Sequence, residues 1–344
     1  MKNYFTTLEK EYSESWFRKA VCDYDGESFT FGQLAYHIER FHIIFSKAGI
    51  MKGDRIVICA GNSARWAAAF LASATYGAVV VPILPDITPE NTEKQIANCQ
   101  GRILFTDNGI YRRLDISGLP SIEGVVSCSD FSLLFSRSRM LEDAFNNIYI
   151  DFNARHPGNF TADDIHYPTD NLNDIALLHY ALESESDQMV IRHESICAAI
   201  DYGTDGPECN RKETAVSMLP MGNIQGLIFG FLYPLCNGKT VYLMDSTPSP
   251  TVLLNAMKSV RPYMVCTIPS VIENIYLSSI KPSLEKKHIK TLLHTPLMNK
   301  IVHRSVRRRL VRSLGGRVRI FILLPRNNDI MCIFAETDTL CKTF

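Results

Sequence analysis

The sequence predicts an α/β protein of layered, mostly parallel sheets flanked by helices. Three observations carry that expectation. Helix and strand patterns alternate through the first hundred residues, glycines at 49 and 77 stop the helices, and the runs that follow them are short and apolar. At 344 residues, with about 150 per domain as a guide, the chain holds roughly two packing units. They are expected as a first α/β subdomain over 1–170 and a second over 171–344.

The elements follow in order. Thr30 precedes Phe31-Gly32-Gln33 as an N-cap with glutamine three residues on, close to a capping box. Leu34, Ile38, Phe41 and Phe45 then recur at helical spacing until Gly49. Arg55–Cys59 is a short β run. Trp66–Leu84 has nineteen residues without a charge and could pass for a membrane span. Its alanine-rich start and its Gly77 and Pro82 instead predict a buried helix over Ala64–Thr75 and a buried strand over Ala78–Ile83. A third helix is expected over Pro89–Asn98 and a strand over Ile103–Phe105, before a less regular stretch over 106–170 with a strand at Val125–Val126.

From Asp174 onward, strands are expected at Ile175–Tyr180, Ala215–Leu219, Thr240–Leu243, Tyr263–Ile268 and Arg319–Leu324. Helices are expected at Glu194–Asp201, Ile224–Leu235, Ser249–Val260, Pro269–Ser279 and Asn299–Leu314.

Composition narrows the function classes. Thirty-six basic residues balance thirty-six acidic ones, so no global field favours nucleic acid, and none is expected as a partner. The balance hides an asymmetry, because 281–320 holds five Lys and seven Arg against one Glu. Ten scattered cysteines form no Cys-x-x-Cys pair and suit a reducing compartment, where they act as small hydrophobes. Glu9, Glu11 and Glu14 rule out a signal peptide at the start, and a cytoplasmic location is expected.

Nine separated stretches stand in a familiar order: Phe29–Leu34, Gly53–Ile56, Asn62–Trp66, Tyr76–Pro82, Asp174–Leu178, Ser217–Gly226, Phe231–Leu235, Thr267–Glu273 and Leu314–Arg319. Together they resemble the AMP-forming adenylate enzymes, the superfamily of acyl-CoA synthetases, and within it the long-chain fatty-acid:CoA ligases above all. The resemblance implies the fold of the family's N-terminal domain. It also implies ATP, Mg2+ and CoA as the family's cofactors and a fatty acid or acyl chain as substrate. The mobile C-terminal domain with its catalytic lysine, the ribose-binding aspartate and the hinge would lie beyond residue 344, so the C-terminal domain is expected to be absent from this chain.

In the family, a loop rich in Gly, Ser and Thr and ending in lysine follows the strand equivalent to Ile175–Tyr180. Glycines let backbone N–H groups approach the phosphates, hydroxyls donate and lysine supplies charge. Here that loop, from Tyr180 to Val190, has no glycine and no lysine, and it carries Glu183, Glu185 and Asp187. Tyr180, Ser184 and Ser186 are the nucleotide-side candidates that survive. The three alternating acids are either a solvated acidic loop or, in an extended strand, a one-sided oxygen set for a metal; no metal ligand is assigned.

A second candidate group is Met221, Asn223, Ile224 and Gly226, which match the segment beside the family's acyl substrate. Asn223 stands where that segment has histidine. The apolar stripe around it, with Leu227, Ile228 and Phe231, suits an acyl pocket and equally suits ordinary core. His179 and His193 flank the altered loop as structural residues. Gly238-Lys239-Thr240 lacks the earlier glycine of a P-loop, with Tyr233 in its place.

The Arg304–Arg312 helix is amphipathic and basic, fit for peripheral membrane contact or for a solvated face. No catalytic residue is assigned. The expected function is that of a fatty-acid:CoA ligase by resemblance, catalytically inactive as this chain. The alternatives are an active ligase and a non-catalytic protein that binds an acyl chain or another protein.

Overall fold

The computed structural model describes residues 3–180, 188–204, 213–244, 248–275, 312, 314–323 and 340–343. In chain order the elements are α1 Tyr4–Ser15, β1 Lys19–Asp23, β2 Ser28–Thr30, α2 Phe31–Lys47, β3 Arg55–Cys59, α3 Ala64–Tyr76, β4 Val79–Ile83, α4 Pro89–Cys99, β5 Ile103–Thr106 and α5 Asn108–Tyr111. Then come β6 Gly124–Ser127, β7 Leu133–Ser136, α6 Arg139–Asn146, α7 Ile148–Arg155, β8 Ile175–Tyr180, β9 Gln188–Arg192, α8 His193–Thr204 and β10 Thr214–Ser217. A π-helical segment over Gly226–Leu232 runs into α9 Tyr233–Cys236, followed by β11 Thr240–Leu243, α10 Pro250–Val260, β12 Met264–Thr267, α11 Pro269–Ile275, β13 Ile320–Leu323 and β14 Leu340–Thr343. The architecture is α/β, with mostly parallel sheets flanked by helices. Antiparallel pairing enters at β1–β2, β6–β7 and β8–β9.

The chain divides into two compact units, Met1–Arg211 with Pro220–Leu243, and Lys212–Leu219 with Met244–Phe344. In the first, the strands run in the order β7-β6-β5-β3-β4-β8-β9, so β8 and β9, which follow residue 170, complete the sheet that β3 to β7 begin. Parallel β4 and β8 meet at Val80 and Leu177. One face carries Val57, Val81, Leu104 and Leu178 against Ile96 and Cys99 of α4. The other carries Ile56, Ile58, Val80 and Phe105, all buried, and α3 packs on β3 and β4 from that side while also touching β1.

Contact on two sides explains the composition of α3. Ala64 and Trp66 to Thr75 are all buried, and alanines at 64, 67, 68, 69, 72 and 74 let strands approach the helix closely. Ser63 accepts the Trp66 N–H at the start, and Gly77 ends the helix in the left-handed conformation at φ +91. The charge-free run Trp66–Leu84 is therefore a buried helix and strand. No described helix is long and apolar enough to cross a membrane. The capping box at Thr30 and Gln33 is present on α2, whose Phe41 meets Phe105 edge to face at 5.1 Å between ring centres.

The second unit carries β10, β12, β13 and β14 as parallel neighbours. Helix α10 buries Leu253, Ala256 and Met257. Gly315, at φ +85, is held by packing as well as conformation, since a Cβ there would stand 2.1 Å from the Met257 carbonyl oxygen.

Several elements depart from the expectation. The 106–170 stretch is more ordered than its pattern suggests, with β7, α6 and α7 present and both helices packed on α2. The Arg137 guanidinium organises this region by donating to the carbonyls of Leu119 and Ile122 at 2.8 Å and of Ile116 at 2.7 Å. Residues 188–190, expected within a loop, belong to β9, which pairs Tyr180 with Gln188 and His179 with Met189. The helix expected over Ile224–Leu235 is π-helical in its middle. Pro234 has no N–H to give to Gly230, and the backbone widens by a residue where that bond is missing. The Arg304–Arg312 segment lies outside the described residues except for Arg312. Among the described residues, seven cysteines (22, 59, 99, 128, 197, 236 and 266) are buried and in no disulfide, as small hydrophobes should be.

Buried imidazoles set the pH response of the first unit. Burial depresses His37, His42 and His193 to about 4 each, whereas Asp23 is raised by burial to about 6. Below the ordinary histidine value the unfolded chain takes up protons that these folded imidazoles refuse, so they withdraw stability as pH falls. Asp23 acts oppositely, because its folded carboxyl is protonated before its unfolded one. With His179 also depressed by burial and Asp107 also raised by it, four imidazoles outweigh two carboxyls. Urea midpoints are expected to fall between about pH 6.5 and about pH 4, and His42→Gln is expected to flatten that slope.

Candidate functional site

In open parallel sheets, ligands bind in the crevice outside the carboxyl ends of the strands. At the end of β4, Gly222 lies against the Ile83 carbonyl; a Cβ would stand 3.0 Å from that oxygen and 3.1 Å from Leu84 Cδ2. Asn62, in the turn after β3, accepts the Met221 N–H at 2.8 Å and fixes the approach. Met221 and Gly226 are wholly buried, while Asn223 and Ile224 are half-buried.

Asn223 opens the following helix. Its Oδ1 accepts the Gln225 N–H at 2.9 Å and its carbonyl accepts from Leu227 at 2.8 Å. The Ile224 N–H goes to His179 Nε2 at 3.2 Å, and His179 Nδ1 lies 2.8 Å from the Tyr180 carbonyl. These partners fix the tautomer: Nδ1 carries the proton and Nε2 accepts. Burial holds the His179 pKa below its ordinary value, which keeps the ring neutral for that role. Two of the helix's first N–H groups thus have side-chain acceptors. Asn223, at the family's histidine position, is a helix cap, and the imidazole at this edge is that of His179.

Tyr180 ends β8 with its ring in the core and 5% exposed. Its hydroxyl donates to the Gln95 carbonyl at 2.9 Å and accepts from the Gln188 amide, and burial pushes its pKa up to about 12. The space beside it, bounded by Ile83, Leu84, Ile87 and Gly222, is about 20 Å³, the room of a single water. Ser184 and Ser186, with Glu183, Glu185 and Asp187, lie outside the described residues.

His179 thus brings Tyr180 together with Asn223 and Ile224. His193 is structural, 1% exposed and bonded through Nδ1 to the Tyr4 hydroxyl at 3.0 Å. Lys239 is wholly buried at the start of β11, which agrees with rejecting a P-loop there. Sequence reasoning read His179 as structural without finding its partners, and missed the roles of Asn62, Gln95 and Gln188. Asn62 opens one recognised motif and His179 follows another, which was a usable signal; Gln95 and Gln188 carried none. Among the described residues, no group of three or more His, Cys, Asp or Glu could hold a metal ion.

Loss of these acceptors has a measurable cost. Asn223→Ala is expected to destabilise by about 1 kcal/mol, and His179→Phe, which orphans the Ile224 N–H, by about 1–3 kcal/mol. Urea unfolding of the two variants measures both.

Comparison with known proteins agrees with this architecture. Residues 10–323 match the AMP-binding enzyme family. The chain is 23% identical over 302 residues to 4-coumarate–CoA ligase 3 of Arabidopsis thaliana, covering 85% of this chain and 50% of that protein. It is 20% identical over 282 residues to acyl-CoA ligase sidI of Aspergillus fumigatus, covering 79% and 47%. It therefore spans about half the length of these curated relatives. Among solved structures it is similar to the N-terminal domain of FACL13 from Mycobacterium tuberculosis, with a TM-score of 0.69, 16% identity and coverage of 100% of this chain and 75% of that one. It is also similar to the anthranilate CoA ligase AuaEII in complex with anthranoyl-AMP, with a TM-score of 0.71, 14% identity and coverage of 99% and 58%. The fold is that of the N-terminal part of the acyl-CoA ligases, and with the match running over nearly its whole length, the chain belongs to the AMP-binding enzyme family.

Proposed function

We propose that this chain is a non-catalytic member of the family, built on the scaffold of a fatty-acid:CoA ligase and retaining its acyl-side segment without adenylate-forming chemistry. The observation that carries the reading is the 181–187 stretch between Tyr180 and Gln188. It offers three carboxylates and two hydroxyls, with no glycine and no lysine. Unit like charges about 4 Å apart repel by about 1 kcal/mol in water and more at a protein surface. A triphosphate set against several such charges, without the donors that would offset them, has no binding site here. The donor set does not fit ATP with Mg2+, and no step is derived through them.

Supporting the reading from the other side, Tyr180 and Asn223 are both engaged in holding the fold: one hydroxyl is bonded twice within the core, and one amide caps a helix. The acyl-side segment Met221–Gly226 would receive the apolar ligand, and a peripheral membrane role for 304–312 would suit a lipid-handling protein of the cytoplasm.

An active ligase is the second reading. It is favoured by the family match over 10–323 and by the CoA ligases among the relatives. ATP–pyrophosphate exchange with Mg2+ separates the two, run over fatty acids of several lengths and over 4-coumarate, with an intact ligase as control. No acid-dependent exchange is expected from protein that melts cooperatively. Exchange above the enzyme-free background with any of the acids establishes the ligase reading instead.

A further inference from the structure

The first unit has a second cavity at the opposite edge of the same sheet, where β3, β4 and β8 begin. Its volume is about 340 Å³, within the size range of small-ligand sites. Lys52, Arg55 and Arg192 line it against one acid, Asp174. Gly53 and Gly77 keep part of its wall at backbone level, at φ +85 and +91, with the Gly53 N–H given to the Gly77 carbonyl at 2.9 Å. A Cβ on Gly53 would meet nothing within 4 Å, so the space beside it is open.

The charges on this wall are unequally matched. Lys52 Nζ is 2.8 Å from Asp174 Oδ2 and is also influenced by nearby Asp170. Arg192 donates to the neutral Asn173 carbonyl, and among the described residues Arg55 makes no side-chain hydrogen bond or ion pair. Elsewhere in the unit Arg102 pairs with Asp54 and Glu123, Arg65 with Glu27 and Arg155 with Glu39, while the Arg137 guanidinium is taken up by backbone carbonyls. Among the described residues, two guanidinium groups without a carboxylate partner therefore face one cavity. Guanidinium forks match phosphate oxygens in geometry and charge. Beside them, Val79, Ile175 and Leu178 supply an apolar wall, and the volume exceeds what a bare phosphate would fill.

We propose that this cavity binds a small organic phosphate, its phosphate on Arg55 and Arg192 and its organic group against Val79, Ile175 and Leu178. The site is at the other end of the strands from the Tyr180 edge, so it stands or falls independently of adenylate chemistry.

Calorimetric titration of the full chain with phenyl phosphate, inorganic phosphate and benzoate tests the proposal. Saturable one-to-one binding of phenyl phosphate is expected, with inorganic phosphate and benzoate each weaker by several-fold. Arg55→Gln is expected to weaken phenyl phosphate by about tenfold or more, the loss typical of a charge-assisted pair, and Arg55→Gln with Arg192→Gln by more still. Arg55 is exposed and its side chain bonds to nothing described, so the single variant keeps the fold, and a thermal melt verifies this. Absence of saturable phenyl phosphate binding overturns the proposal, as does unchanged affinity in the double variant. Benzoate or inorganic phosphate binding as tightly as phenyl phosphate overturns the assignment to an organic phosphate.

Discussion

A parallel sheet has two apolar faces and stands only if both are covered. In the first unit that constraint falls on β5, β3, β4 and β8, whose central residues are almost wholly buried. Helix α4 closes one face. The other is closed by α3, which also meets β1 and so has almost no solvent side left. A helix in that position needs small residues and, beyond Arg65 in its first turn, no charge, which is why the least polar stretch of the chain is alanine-rich. Helices α2, α6 and α7 then shield what α3 leaves open, with Phe41 reaching Phe105 across the layer.

Covering both faces leaves polar chemistry only at the two strand edges. At the carboxyl edge, Asn62, His179, Asn223, Gln95 and Gln188 are each bonded to backbone or to Tyr180, so the polar groups there serve the scaffold. A neutral His179 is central, since it links the end of β8 to the first turn of the next helix in a single tautomer. The amino edge is arranged differently, with the guanidinium groups of Arg55 and Arg192 paired with no carboxylate among the described residues. The family relationship explains the carboxyl edge as a retained frame. It does not account for the cations at the opposite edge.

Much of this frame was legible in the sequence. Ile175–Tyr180 and Thr240–Leu243 are strands over the residues expected, and the capping box at Thr30 is where the Ser/Thr-x-x-Gln pattern puts it. Strong periodicity, caps and apolar runs are local signals, and local signals survive reading one residue at a time. The misses are tertiary. Helices α6 and α7 are eight residues each, too short for periodicity to announce, and their order depends on packing against α2 and on Arg137 reaching distant carbonyls. Strand β9 has one apolar residue buried, Ile191, and owes its conformation to pairing with β8. At the site, Tyr180 and Asn223 were found by motif, but their roles were not, because Gln95 is eighty-five positions from Tyr180 and nothing local links them.

The central claim is that an adenylate-enzyme scaffold is present while its triphosphate site is not. Equilibrium binding of ATP with Mg2+, followed by displacement of a fluorescent trinitrophenyl-ATP probe, addresses it without depending on turnover, on an acid substrate or on residues outside this chain. The account predicts no saturable, ATP-displaceable binding by a cooperatively folded protein. Saturable binding that ATP displaces would contradict it.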